Sequence, residues 1–269
     1  MQASKAWDGV CVHPIGGRSA KPRRAGVTMV IDKGLGLEST RELLSLAGDY
    51  IDFIKLGFGT SAFYDAELLR AKIRLIRGHG VHVYPGGTFL EVAELQSATE
   101  AFLDRAEALG FDFVEVSDGT LAIAPERRRR IIAAALERGL GVLTEVGKKH
   151  PADRQPLEVQ RRQVREDLAS GARYVIVEAR ESGVGVGIYD DDGRIDRAAL
   201  EAFETAAPPE RLIWEAPLKS QQEALIERFG PNVNLGNIHP QEVLALEALR
   251  VGLRGDTLRR AARVGARHE

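Results

Sequence analysis

The chain has 269 residues, 44% of them apolar and 28% charged, which suits a soluble globular protein of one large domain or two small ones. With 37 basic and 39 acidic residues the formal charge is −2, so nothing global draws nucleic acid or an anionic membrane. No apolar run reaches the roughly 18 residues of a membrane span, and the one cysteine, Cys11, excludes an internal disulfide and points to a reducing, cytoplasmic setting.

Residues 1–25 carry Pro14, Gly16, Gly17, Pro22 and scattered basic residues, and read as an irregular segment without the apolar stretch of a signal peptide. Arg23-Arg24 is not read as an export signal, because a strand follows it. The runs 26–32, 51–57, 81–85, 111–116, 141–146, 174–178, 212–215 and 233–235 read as strands. Most are short and continuously apolar, as in a parallel sheet buried on both faces.

Helical patterns lie between these runs. Leu69, Ile73 and Ile76 share a face, as do Ile131, Ala135 and Leu136 after Pro125 at a helix start. Val164 and Leu168 precede Gly171, a helix-ending glycine. Leu225, Ile226 and Phe229 precede Gly230, and His239-Pro240 opens a helix running to Leu249. This repeated alternation predicts a single-domain (β/α)8 TIM barrel over residues 26–258, with a doubly wound sheet as the competing arrangement. Residues 259–269 are expected to form a basic tail, a frayed helix around Arg259-Arg260-Ala261-Ala262-Arg263.

Five strand-like runs close on a carboxylate: Asp32, Glu115, Glu145, Glu178 and Glu215. In a parallel barrel the carboxyl ends of all strands open on one face, so these acids are expected to form one mouth suited to a divalent cation or to proton chemistry. Any one of them alone would be explained as well by pairing with a nearby lysine or arginine. Lys55, inside Phe53-Ile54-Lys55-Leu56, either points inward to a carboxylate or bound anion or snorkels outward. Lys33, Lys148 and Lys149 follow strand ends and are candidate anion-binding or acid/base groups, though lysine pairs are also common on surfaces.

Loops 57–61, 85–88, 117–120 and 180–187 are glycine-containing and expose backbone N–H groups that suit an oxyanion or phosphate. The glycines of the last loop lack the GxGxxG spacing of a dinucleotide site. Beside Lys33, Lys55, Lys148 and Arg180 these loops point to an anionic, phosphorylated substrate. The six histidines form no metal-like spacing, no Ser-His-Asp or Cys-His arrangement stands out, and Trp7 and Trp214 are too few for a nucleic-acid stacking platform.

The motifs Thr28-Met29-Val30-Ile31-Asp32-Lys33-Gly34, Asp52-Phe53-Ile54-Lys55-Leu56-Gly57-Phe58-Gly59-Thr60-Ser61, Tyr84-Pro85-Gly86-Gly87-Thr88 and Leu143-Thr144-Glu145-Val146-Gly147-Lys148-Lys149 occur in that order. Glu181-Ser182-Gly183, Glu215-Ala216-Pro217-Leu218-Lys219-Ser220, Val233-Asn234-Leu235-Gly236-Asn237 and Gly252-Leu253-Arg254-Gly255-Asp256-Thr257 follow. From Arg24 to Thr257 the chain resembles phosphosulfolactate synthase. The resemblance implies a barrel lyase acting in the synthetic direction, adding sulfite to phosphoenolpyruvate with Mg2+ to give (2R)-phospho-3-sulfolactate, for coenzyme M or sulfolactate. Within that reading Glu115, Glu145 and Glu178 are the expected Mg2+ ligands, with Asp32 and Glu215 as alternatives. Lys148 is the expected general acid, with Lys55 and Arg180 completing the catalytic set. Lys33, Gly59, Thr60, Gly86, Gly87, Ser182, Gly183, Asn234, Gly236 and Asn237 are expected to contact substrate.

The expected partners are these small molecules and further copies of the chain, with neither nucleic acid nor membrane. Two other readings stand beside this one. Plant heat-stress-associated proteins look like the same family, which allows a non-catalytic protective role. A barrel lyase using another enol phosphate or another nucleophile is the third.

Overall fold

The eight apolar runs become strands because each alternates between two buried environments. In the structure, a computed structural model that describes residues 5–259, these strands are β1 (Thr28–Asp32), β2 (Phe53–Leu56), β3 (His82–Pro85), β4 (Phe113–Val116), β5 (Gly141–Val146), β6 (Tyr174–Val177), β7 (Leu212–Glu215) and β8 (Leu235–Ile238). They form one parallel sheet in the order β3-β2-β1-β8-β7-β6-β5-β4. The strands alternate with helices, giving the (β/α)8 barrel expected from the pattern. At the seam between β3 and β4 a side chain takes the place of a ladder: Asp112 accepts the Val83 N–H at 2.9 Å and lies 2.5 Å from His82 Nδ1.

Successive side chains of a strand point to opposite faces. Val27, Met29, Phe53, Tyr84, Phe113, Leu143, Tyr174, Ile176 and Ile213 pack with one another inside the barrel. Their neighbours Val30, Ile54, Val83, Val114, Val142, Val175 and Trp214 pack outward, against the helices. The interior is therefore a filled core, and the open space lies above it at the carboxyl ends.

The helices are α1 (Leu37–Ala47), α2 (Ala66–Gly78), α3 (Gly87–Leu95), α4 (Thr99–Leu109), α5 (Pro125–Glu137), α6 (Leu157–Ala169), α7 (Arg197–Glu204), α8 (Lys219–Phe229) and α9 (Val243–Arg250). Pro125 opens α5, and Leu69, Ile73 and Ile76 are the buried face of α2, as the spacing predicts. Leu136 departs from its predicted face and is 40% exposed. The helix predicted from Pro240 begins as a 3-10 turn, Pro240–Glu242, before α9.

The largest correction concerns β8, which starts at Leu235 rather than Val233 and runs on through Gly236-Asn237. The glycine hides the strand from an apolar pattern. Yet a side chain there would collide with the end of Met29 and lie 3.1 Å from Ile213, so any larger residue would have to displace Met29 inside the barrel. The tail from Arg260 onward lies outside the described residues.

A candidate active site at the carboxyl ends of the strands

Strand parity sorts the five acids. Glu115, Glu145 and Glu215 are in phase with interior residues of their own strands and point inward, and Glu178, the residue after β6, joins them; all four are at most 2% exposed. Asp32 follows Ile31, which lines the pocket, and so faces the helix side. There it accepts the Gly34 and Leu35 N–H groups at 2.8 Å and pairs with Lys72 of α2 at 2.5 Å. The structure thus removes Asp32 from the predicted mouth.

Two ammonium groups meet the four carboxylates. Lys55 points inward, with Nζ 3.1 Å from Glu115 and 3.3 Å from both Glu145 and Glu215. Lys149 lies 2.7 Å from Glu145 and 2.9 Å from Glu178. Burial disfavours both ammoniums, but the surrounding carboxylates outweigh it, and both lysines are held above the ordinary lysine range. The acids split. Burial and the neighbouring Glu145 push Glu178 well up, and burial pushes Glu115 up to about 7. Glu145 is buried too, but Lys149 and Lys55 hold it well below the usual carboxylate range.

The floor fits a divalent cation. Carboxylate oxygens of Glu145, Glu178 and Glu215 lie within 4.8 Å of one another, an all-oxygen donor set of the kind Mg2+ takes. Four carboxylates against two ammoniums leave two negative charges uncompensated when all are ionised. Glu178 Oε2 and Glu115 Oε2 are buried and receive no directed hydrogen bond, although a lysine lies within ion-pair distance of each. The trio replaces the Glu115 of the predicted ligand set with Glu215. Glu115 is instead occupied by Lys55 and the Gly87 N–H, the latter at 2.8 Å.

Above this floor opens a pocket of about 580 Å3. Of the predicted residues, Lys55, Gly86, Gly87, Glu178, Arg180, Ser182, Glu215 and Asn237 line it. Gly57, Phe58, Thr88, Thr120 and Glu181 line it from the glycine-containing loops expected to bind an anion, though none was singled out by residue; Ile31 was left out, and Lys149, weighed evenly there, lines it as well. Arg180 is exposed, and its guanidinium makes no ion pair among the described residues, so a cation is free at the rim. Phe58, Arg180 and Asn237 have φ of 56, 59 and 54°, the left-handed region that non-glycine residues rarely adopt. Such strain gathers at functional sites. Here it turns the chain at three places around one pocket, an outcome no residue type announced.

Other predicted residues are placed elsewhere. Lys148 does not line the pocket; its Nζ donates to the Asp118 carboxylate at 2.7 Å and also to the Asp118 carbonyl. Asp118 is held in turn by Arg128. Lys33 pairs with Glu181 at the rim. Thr60 bonds back to the Gly57 carbonyl, Gly59 packs against Phe89, and Gly183 against Gln221 and Pro217, all contacts that shape loops. Asn234 is at the opposite end of the barrel. Its amide accepts the Val27 N–H and donates to the Glu210 and Leu212 carbonyls, leaving nothing for a ligand. Gly236 is the interior packing position already described.

Comparison with known proteins agrees with the barrel. A family model described as (2R)-phospho-3-sulfolactate synthase matches residues 16–256. Phosphosulfolactate synthase of Methanothermobacter thermautotrophicus is 47% identical over 243 residues, covering 90% of this chain and 94% of that protein. The Methanocaldococcus jannaschii phosphosulfolactate synthase is 45% identical over 234 residues, covering 86% and 93%. Among solved structures, a 3-hexulose-6-phosphate synthase superposes with a TM-score of 0.56 at 16% identity, over 83% of this chain and 99% of that one, a likeness of fold alone. The matched stretch runs from the irregular N-terminal segment through all eight strands to the segment beyond α9, and the chain therefore belongs to the (2R)-phospho-3-sulfolactate synthase family.

Proposed function

We propose that the chain joins sulfite to phosphoenolpyruvate to give (2R)-phospho-3-sulfolactate, with Mg2+ as cofactor. One observation supports this reading above the others: a single pocket combines an unpaired arginine and hydroxyl groups at its rim with an anionic, two-lysine floor. A trianionic substrate with a phosphate and a carboxylate needs both surfaces.

Arg180, with the Thr88, Thr120 and Ser182 hydroxyls and nearby backbone N–H groups, holds the phosphate. The sulfur lone pair of sulfite forms the C–S bond at the methylene carbon. The π pair of the enol moves onto the adjacent carbon and into the carboxylate, and a proton added at that carbon completes the product with its phosphate ester intact. Glu145, Glu178 and Glu215 would hold the cation, which supplies stabilisation of the charge growing on the substrate carboxylate. Lys149 is the proposed proton donor: it faces the pocket while its neighbour Lys148 is tied to Asp118, and the carboxylates around it keep it protonated until the substrate carbon takes the proton. Lys55 keeps Glu115, Glu145 and Glu215 from repelling one another, and orients them.

The reading is tested by incubating the protein with phosphoenolpyruvate and sulfite, with and without Mg2+, and analysing products by mass spectrometry. A metal-dependent phosphosulfolactate peak is expected. Absence of product while phosphoenolpyruvate still raises the thermal midpoint would point to another nucleophile.

A further inference from the structure

Glu91 lies in the middle of α3, 1% exposed, and pairs with no cation among the described residues. A buried carboxylate is costly unless hydrogen bonds meet its charge. Two backbone donors do so here, and a hydroxyl shared with Glu145 lies beside the other oxygen. The Thr120 and Leu121 N–H groups reach Oε2 at 2.8 and 2.6 Å, and the Ser117 hydroxyl lies 3.0 Å from Oε1. Ser117 is fully buried; its Oγ accepts the Gly119 N–H at 3.1 Å and lies 2.9 Å from Glu145 Oε1.

One side chain therefore joins three parts of the site. Its own helix begins with Gly87 and Thr88 in the pocket wall, its Oε2 grips the loop that carries Thr120, and its Oε1 shares the single hydrogen of the Ser117 hydroxyl with Glu145. Pinning the loop would need Oε2 alone. The second oxygen, turned to Ser117, ties the loop and helix to the carboxylate floor.

We propose that Glu91 is a positioning residue for this site, setting Glu145 through Ser117 and the Thr120 wall through two backbone amides. The proposal rests on the reading of Glu145 as a cation ligand, and not on the identity of the nucleophile.

The test uses the full chain and the variants Glu91→Ala, Glu91→Gln and Ser117→Ala. For each, Mn2+ affinity is measured by electron paramagnetic resonance, together with KM for phosphoenolpyruvate, kcat and the thermal midpoint. Residues that orient a metal ligand typically matter about 10- to 100-fold. Glu91→Ala should weaken Mn2+ at least about tenfold and raise KM. Ser117→Ala, which cuts the branch to Glu145 and leaves the two backbone amides on Oε2 in place, should weaken Mn2+ while moving KM less. Glu91→Gln should recover most of the loss, because its amide oxygen can still accept the two backbone N–H groups and its NH2 can donate to Ser117.

A lower thermal midpoint with Mn2+ affinity and KM unchanged would overturn the proposal, as would Glu91→Gln proving as damaging as Glu91→Ala. If Glu91→Ala does not fold, the Mn2+ affinity of Ser117→Ala decides. Wild-type protein that binds Mn2+ but forms no phosphosulfolactate would sink the proposed reaction and leave this inference to its own readout.

Discussion

Lys148 and Lys149 are adjacent in sequence and part company in space. The chain turns at Gly147, with φ of 117°, and sends Lys149 to Glu145 and Glu178 and Lys148 to Asp118. Replacing Lys149 with Ala should lower turnover by roughly 10²- to 10⁴-fold with the fold intact, the range for losing a general acid. Lys148→Ala should cost far less, and equal losses in steady-state turnover would return Lys148 to the chemistry. Asn234 tests the reverse case. Asn234→Ala removes three hydrogen bonds at the closed end of the barrel and should cost about 1–3 kcal/mol in denaturant unfolding, with KM unchanged. A raised KM at unchanged stability would return Asn234 to the substrate site. The residue types in this site were legible in the sequence; which of two neighbouring lysines faces the pocket was not, because a single loop dihedral decides it.

At the scale of elements, the start of α3 is a tight joint in the site. A Cβ on Gly87 would lie 2.6 Å from both Glu115 Oε1 and Ser117 Cβ, whereas one on Gly86 would meet nothing closer than 3.4 Å. Gly87→Ala should therefore push α3 from β4 at a cost of about 1–3 kcal/mol and reduce turnover, while Gly86→Ala should be nearly neutral in stability. Equal unfolding midpoints for the two variants would contradict this packing. The strands were read from their apolar runs to within a residue or two, except β8, where Gly236-Asn237 interrupts the apolar signal. The interior glycine answers to Met29 and Ile213 on neighbouring strands, which a local pattern does not contain. The same blindness left out Glu91, whose partners lie 26 to 30 residues further along the chain.

For the whole molecule, the buried floor couples stability to pH. Glu115 and Glu178 have folded pKa values above their unfolded ones, so the stability they carry is full below about pH 4.5 and is lost as pH rises through the folded values, about 7 for Glu115. Glu145 runs the other way, but its folded value lies well below 4.5, so its stability is lost only as pH falls below that range. Metal-free protein should thus show a falling thermal midpoint between about pH 5 and 7, and added Mg2+ should reverse the fall most strongly near pH 7, where the carboxyls must give up protons to bind it. A midpoint that rises with pH over that interval in metal-free protein would show that the acids are not held neutral by burial.

The sequence by itself determined the parallel (β/α)8 alternation and the set of acids and lysines available at strand ends, because both are local: apolar runs bury strands on two faces, and a carboxylate after such a run has few other places to go. The tertiary structure alone decided which of them meet. Closing the barrel set the phase that turns Glu115, Glu145, Glu178 and Glu215 inward and Asp32 outward toward Lys72. It also set the packing that makes Glu215 a member of the cation-sized trio and the loop dihedrals that bring Lys149 and Arg180 over it. Facing and distance across a barrel depend on strands far apart in the chain, and one residue of phase moves a side chain from one face to the other.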